Sequence, residues 1–162
     1  LAVRESRRMV GRDQVTLPDL LAARKRDDAV ARCSFGIDIH CPMARVKGRT
    51  FTCGVHCEHK DCHMFSEHAR DLPEERGVGG GSWYDIPYGA LVSADVVNLL
   101  ACGRCLSADH AALSSLRVMG PSMATGQAAG TAAAMAAAQD IPVAQVSVAA
   151  LQAQLRADGA AI

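Results

Sequence analysis

This sequence contains few aromatic residues and no excess charge of either sign. Phe, Trp and Tyr make up 4% of its 162 residues, too few for a platform that stacks single-stranded nucleic acid. Lys plus Arg (17) equals Asp plus Glu (17), so no net field attracts nucleic acid or an anionic membrane. No apolar run is long enough to span a bilayer, and the charged first residues lack a signal-peptide pattern. We therefore expect neither nucleic acid nor membrane as a partner.

The cysteine count also excludes one class of protein. Seven cysteines is an odd number, which argues against a fully paired disulfide framework of the secreted kind. Thiols scattered among apolar residues favour a reducing, cytoplasmic compartment. Cys33, Cys102 and Cys105 are each interpreted as a small core residue.

The segment between Lys47 and Arg76 has no helical or strand periodicity and is crowded with potential metal ligands. These are Cys53, Cys57, Cys62, His56, His59, His63 and His68. Three thiolates with His63 or a neighbouring histidine would suit tetrahedral zinc, and thiolates would suit an iron–sulfur (4Fe–4S) cluster. A solvated loop that happens to be rich in Cys and His is the alternative. A small zinc or iron–sulfur binding module without catalysis is therefore one candidate function.

Hydrophobic patterning predicts a mixture of strands and helices. Thr16 is an expected N-cap, with Asp19 as its capping-box partner, for a helix that continues through Arg26. A second helix with Ser147 as N-cap is expected near the C-terminus. The strands expected from apolar and alternating runs are Arg4–Val10, Ala31–His40, Trp83–Tyr88 and Val96–Cys102.

The stretch from Asn98 to Ala138 organises the rest of the chain. An apolar run ending at Gly103 predicts a buried strand whose glycine lets the backbone approach another segment or a ligand. Pro121 suits the first turn of a helix. We interpret Gly126–Thr131 as a helix start whose small residues either expose N–H groups to an anion or polar ring edge, or allow a tight helix–helix contact.

Two arginines and one histidine are candidate site residues. Arg104, beside the strand end, needs an anionic or carbonyl partner, for which Asp109 is one candidate. Arg117 interrupts an apolar run and either binds an anion or extends to solvent. His40 at a predicted strand end is either a site edge or a surface residue.

Several motifs in this order resemble one family. The stretch NLLACGRCLSADHAALSSLRVMGPSMATGQAAGTAAA, with RESRRMVG, IDIH and YDIPYGAL upstream, resembles the FAD-dependent oxidoreductases that include heterodisulfide reductase A-like flavoproteins. The resemblance covers the chain except for about residues 47–81. Some relatives carry 4Fe–4S clusters, but their ligands do not map residue by residue onto the cysteines of this segment. It implies FAD as cofactor and an α/β (α+β) fold in which the strand Val96–Cys102 and the helix after it complete a Rossmann-like FAD domain.

The resemblance also implies roles for individual residues. His40 and His110 would face a small-molecule substrate or an electron-transfer partner. The expected flavin-binding set is Gly103, Arg104, Ser107, Arg117, Gly126, Gln127, Ala128 and Thr131. Independently of the resemblance, the spacing of cysteines and histidines gives an expected metal set of Cys53, Cys57, Cys62 and His63.

The dinucleotide fingerprint G-x-G-x-x-G, which family members carry near the N-terminus, does not follow any predicted strand here. We therefore expect the C-terminal portion of a longer flavoprotein: a substrate-side segment at 1–92 with an insertion at about 47–81, a returning FAD-domain piece at 93–140, and a terminal helix at 141–162. Without the N-terminal FAD-binding segment, apolar surface should be exposed, and FAD binding by this chain alone should be weak or absent. A truncated inactive fragment is a further alternative.

Overall fold

The computed structural model describes residues 7–38 and 77–162. Within these ranges the helices are α1 (Leu17–Leu21), α2 (His110–Leu116), α3 (Met119–Gln139) and α4 (Val148–Ala157), and the strands are β1 (Ala29–Cys33) and β2 (Tyr84–Pro87). Short 3₁₀ turns occur at Gly79–Gly81, Tyr88–Ala90, Gly103–Cys105 and Val143–Gln145. This mixture of helix and strand confirms the expected α/β class.

The two strands form an antiparallel pair that lies against the long helix. Ala31 pairs with Ile86 and Cys33 pairs with Tyr84, with a register irregularity near Ala29. Helix α3 packs on β1 and on α4. Its buried positions are almost all small, which lets its backbone lie close to both neighbours. The fully buried leucines of α2 and α4 complete one hydrophobic core.

Helix α1 begins where the sequence predicts and ends earlier than expected. Thr16 and Asp19 form the predicted capping box, with Thr16 Oγ1 donating to Asp19 Oδ2 at 2.8 Å. The predicted continuation to Arg26 is wrong because Ala23 adopts a left-handed φ of 47°, and the Arg24 N–H turns back to the Asp19 carbonyl. Arg26 then binds the carboxylate of Asp13 at 2.6 Å.

The predicted strand Ala31–His40 is shorter in the structure, where β1 ends at Cys33. Two serines at the end of α2 bind the backbone that follows β1. Ser115 Oγ donates to the Phe35 carbonyl at 2.5 Å, and Ser114 Oγ accepts from the Asp38 N–H at 3.1 Å. These contacts replace the ladder bonds that a longer strand would need. His40 lies outside the described residues.

The predicted strand Arg4–Val10 is not formed over its described residues, 7–10. The Met9 N–H donates to the Cys105 carbonyl, and the Val10 carbonyl accepts from the Ala94 N–H. These residues therefore bond to two different segments and form no continuous ladder with either. The strand predicted at Trp83–Tyr88 is confirmed and is observed as β2. Helix α4 also agrees with its prediction, since Ser147 Oγ accepts from the Ala150 N–H at 3.4 Å.

The buried strand predicted over Val96–Cys102 is wrong. Ser93 Oγ accepts from the Val96 N–H at 3.0 Å, and Asn98 adopts a φ of 59°, so the chain reverses in a tight loop. Only Leu100 pairs, through an isolated bridge to Val92. Val97 is consequently 78% exposed. Together with exposed methionines on α3, this loop presents the exposed apolar surface that the sequence predicts.

Candidate functional site

An open cleft of about 640 Å³ lies where the turn after Leu100 meets the start of α3. The cleft is formed by Asp38 in the segment after β1, the 3₁₀ turn Gly103–Cys105, the end of α2 and the first turn of α3. The lining residues are Asp38, Cys102, Gly103, Arg104, Arg117, Val118, Met119 and Ser122. Three residues of the predicted flavin-binding set, Gly103, Arg104 and Arg117, therefore lie on one cleft.

The turn that carries Arg104 is fastened to α3 by one threonine. Thr125 Oγ1 accepts from the Gly103 N–H at 3.0 Å and donates to the Pro121 carbonyl at 2.7 Å. Gly103 adopts a φ of +58°, and a Cβ there would lie 3.3 Å from Ser122 Oγ. The glycine thus allows close approach to another segment, which was one of the two sequence-based expectations.

Thr125 and Ser122 were missed by the sequence analysis. A hydroxyl four residues after Pro121, in a helix otherwise made of small apolar residues, is the signal that could have identified Thr125. Thr125 is fully buried, so its hydroxyl needs partners within the protein. It finds them in the turn and in the preceding helical turn.

Helix α3 begins at Met119, seven residues before the predicted start at Gly126. Its N-cap is Val118, whose side chain makes no capping bond. The first-turn N–H groups of Met119 and Gly120 therefore find no acceptor among the described residues. The helix starts early because Pro121 supplies a helical φ without needing a bond for a missing N–H.

The stretch Gly126–Thr131 consequently lies inside α3, where its N–H groups bond to carbonyls one turn back. It lies outside the cleft lining. Gly126 faces the turn, because a Cβ there would lie 4.0 Å from Cys102 Sγ. Ala128 is buried, Gln127 is exposed and Thr131 is half-buried. Close helix packing, the alternative stated above, describes Gly126 and Ala128 better than exposed N–H groups do.

The two arginines give the cleft its positive charge. Arg117 ends α2 and donates from Nη2 to the Asp38 carbonyl at 2.5 Å, which positions its guanidinium at the cleft. Arg104 is exposed and forms no hydrogen bond or ion pair with the described residues. Asp109, its candidate partner, instead caps α2 by accepting from the Ala112 N–H at 2.7 Å. Arg104 is thus available to an anion in the cleft.

Ser107 and His110 lie elsewhere. Ser107 is buried, and its backbone bonds to Ala90 and Val15. His110 is the first residue of α2 and is half-buried. Neither residue lines the cleft.

A second cluster of polar groups lies in the core beneath α2. Ser115 Oγ is 2.8 Å from Tyr84 Oη and 3.4 Å from Cys33 Sγ. Burial raises the pKa of Tyr84, which keeps the phenol neutral. Burial also raises the pKa of Tyr88, whose hydroxyl donates to the Val143 carbonyl at 2.7 Å. These tyrosines are part of the core and do not line the cleft.

The predicted metal residues Cys53, Cys57, Cys62 and His63 lie outside the described residues. In residues 7–38 and 77–162, no group of three or more His, Cys, Asp or Glu side chains is arranged to hold a metal ion. The zinc or iron–sulfur hypothesis therefore gains no support and stays a prediction. In the same part of the chain, no helix is both long and apolar enough to cross a membrane.

The cleft suits an anionic group, since its lining includes the cations Arg104 and Arg117 and the first residue of α3, Met119, with Asp38 as the one carboxylate. The family comparison agrees with this chemistry. A model of the FAD dependent oxidoreductase family matches residues 1–155. The chain therefore belongs to the FAD-dependent oxidoreductase family, a class of enzymes that use FAD. Comparisons with curated proteins and with solved structures each gave no match.

Proposed function

We propose that this chain is the C-terminal portion of an FAD-dependent oxidoreductase of the heterodisulfide reductase A-like kind, and that its cleft holds the flavin at the pyrimidine edge. The observation that carries the proposal is the convergence of Arg104, Arg117 and the uncapped start of α3 on one cleft. The ordered motifs that resemble this subtype support the finer assignment.

The cleft residues would act on the flavin by electrostatics. When bound, FAD supplies the hydride or electron chemistry, and the protein positions it and tunes its potential. The Met119 and Gly120 N–H groups and the helix dipole favour negative charge at the start of α3. Arg104 adds a guanidinium that has no bonding partner among residues 7–38 and 77–162, and Arg117 adds a second one held by the Asp38 carbonyl. Together they stabilise the negative charge that reduction places on the pyrimidine edge.

The other members of the predicted set would act indirectly. Gly126 leaves space for Cys102 beside the turn, and Ala128 packs in the core. Ser107 fixes the segment between the turn and α2 through its backbone. The proposed substrate-facing roles of His40 and His110, toward a small molecule or an electron-transfer partner, rest on the family resemblance alone.

The test is a titration of the chain with FAD, followed by flavin fluorescence and by the visible spectrum. We expect weak, saturable binding in the wild type. Arg104→Gln should raise the Kd about fivefold, because an exposed charge-assisted contact contributes roughly 1 kcal/mol. Arg117→Gln should raise it similarly, although loss of the Asp38 contact also loosens that wall of the cleft.

Arg156→Gln is the matched control, since Arg156 is exposed near the end of α4 and does not line the cleft. It should leave the Kd unchanged. Failure of the wild type to bind FAD at any concentration would contradict the proposal. Equal Kd values for wild type, Arg104→Gln and Arg156→Gln would contradict the assigned role of Arg104.

A further inference from the structure

Two cysteines of the cleft region have the spacing C-x-x-C, in the sequence Cys102-Gly103-Arg104-Cys105. The interpretation of both as core residues is wrong, because both thiols are free and exposed. Cys33 is the buried cysteine of the described residues. Gly103 is the residue of this turn that contacts Ser122 of α3, and Cys102 Sγ lies beside Gly126 of the same helix.

The turn places the two cysteines within reach of each other. The Cys105 N–H donates to the Cys102 carbonyl at 3.3 Å, which is the i to i+3 bond of a tight turn. Such a turn keeps its end Cα atoms less than about 7 Å apart, and a disulfide needs a Cα separation of about 4.4–6.8 Å. Cys102 is extended and Gly103 adopts a φ of +58°, so the chain reverses direction between the two cysteines. Rotation of the side chains is the main movement that bond formation requires.

The surroundings of Cys102 and Cys105 favour reactive thiols. Reactive cysteines lie in partly exposed, electropositive places, and Cys102 shares the cleft with the guanidinium groups of Arg104 and Arg117. A disulfide closing so short a loop gains little from the loop entropy that stabilises structural disulfides. Exposed or strained disulfides are the labile ones. The bond would therefore form and break reversibly.

We propose that Cys102 and Cys105 form a redox-active dithiol–disulfide pair that exchanges with disulfides of the glutathione class. One thiolate attacks a sulfur of the partner disulfide, forming a mixed disulfide and releasing one thiol. The second cysteine then attacks the sulfur of the first, closing the Cys102–Cys105 bond and releasing the second thiol. The protein loses two electrons and two protons, and one disulfide becomes two thiols. This exchange does not need bound FAD.

The sequence makes the test direct. Trypsin cuts after Arg76, Arg104 and Arg117, so one cysteine falls on peptide 77–104 and the other on peptide 105–117. The chain is equilibrated with mixtures of reduced and oxidised glutathione, alkylated, digested and examined by mass spectrometry. We expect the two peptides to be linked under oxidising mixtures and separate under reducing ones.

The dependence on glutathione identifies the bond. The ratio of linked to separate peptides should rise about tenfold for each tenfold rise in [GSSG]/[GSH]², as an intramolecular disulfide requires. Cys102→Ser and Cys105→Ser should each abolish the linked peptide, and the buried control Cys33→Ser should retain it. Peptides that stay separate at every ratio, or that carry only glutathione or a different cysteine partner, would overturn the proposal.

Discussion

Replacing Thr125 by valine should uncouple the cleft turn from α3. Valine matches the shape of threonine but lacks the hydroxyl that accepts from the Gly103 N–H at 3.0 Å. Gly103 is buried, so its N–H would lose its partner without gaining water. An unsatisfied buried donor costs about 1–3 kcal/mol, and the added methyl offsets part of this. We expect a net loss of about 1.5 kcal/mol in the free energy of unfolding.

Urea unfolding followed by the far-ultraviolet helix signal measures this loss. For a chain of this size, about 1.5 kcal/mol corresponds to a fall in Tm of roughly 3–6 °C. The midpoint in urea should fall by about 0.7 M if the slope is about 2 kcal/mol/M. Thr125→Ser keeps the hydroxyl and should keep the turn attached, although loss of a buried methyl costs about 1 kcal/mol.

Thr131→Val is the matched control. Thr131 lies on the same helix, is half-buried and has no side-chain hydrogen bond in the described structure. Its replacement should change stability by less than about 0.5 kcal/mol. If Thr125→Val is as stable as the wild type, or if both valine variants lose equal stability, the Thr125 hydroxyl does not fasten the turn.

Two further predictions follow from local geometry. Gly103→Ala should destabilise the chain by about 1–2 kcal/mol, because φ is +58° and the new Cβ would lie 3.3 Å from Ser122 Oγ. Urea unfolding measures this loss of stability. Full rescue by Ser122→Ala would show that the contact with Ser122, rather than the left-handed φ, causes the loss. Acid should destabilise the chain through Asp19: burial acts to raise its pKa, but hydrogen bonds from Thr16 and Arg24 outweigh this and hold the pKa below 3.8. The stabilisation from Asp19 is therefore complete above about pH 4 and is lost as the pH falls through the folded-state pKa. In a plot of unfolding free energy against pH, Asp19→Asn should therefore reduce the fall on the acid side. An unchanged fall in the variant would contradict this role of Asp19.

Local patterns were predictable where the cause is local. The Thr16–Asp19 capping box, the Ser147 cap of α4 and strand β2 all depend on residues close in sequence. The ends of elements were less predictable. Ala23 in a left-handed conformation ends α1, and bonds from the α2 serines replace the end of the expected second strand. Those bonds join residues about 80 positions apart, which no window of sequence contains.

The candidate site divides in the same way. The sequence was sufficient to identify Gly103, Arg104 and Arg117 as candidate site residues and to recognise the order of the family motifs. The sequence did not predict the exposed loop that replaces the strand before Gly103, because Ser93 closes a turn that competes with strand pairing. The exposure of Cys102 and Cys105 also depends on which side of the turn faces α3.

The sequence by itself determined the α/β class, the family and the residues that carry positive charge, because these depend on composition, local periodicity and motif order. Only the tertiary structure decided that α3 begins at Met119, that Thr125 fastens the turn, and that the arginines share one cleft with a thiol. The physical reason is that backbone N–H groups and hydroxyls bind whichever partner the folded chain brings near. Those partners come from segments that are distant in sequence.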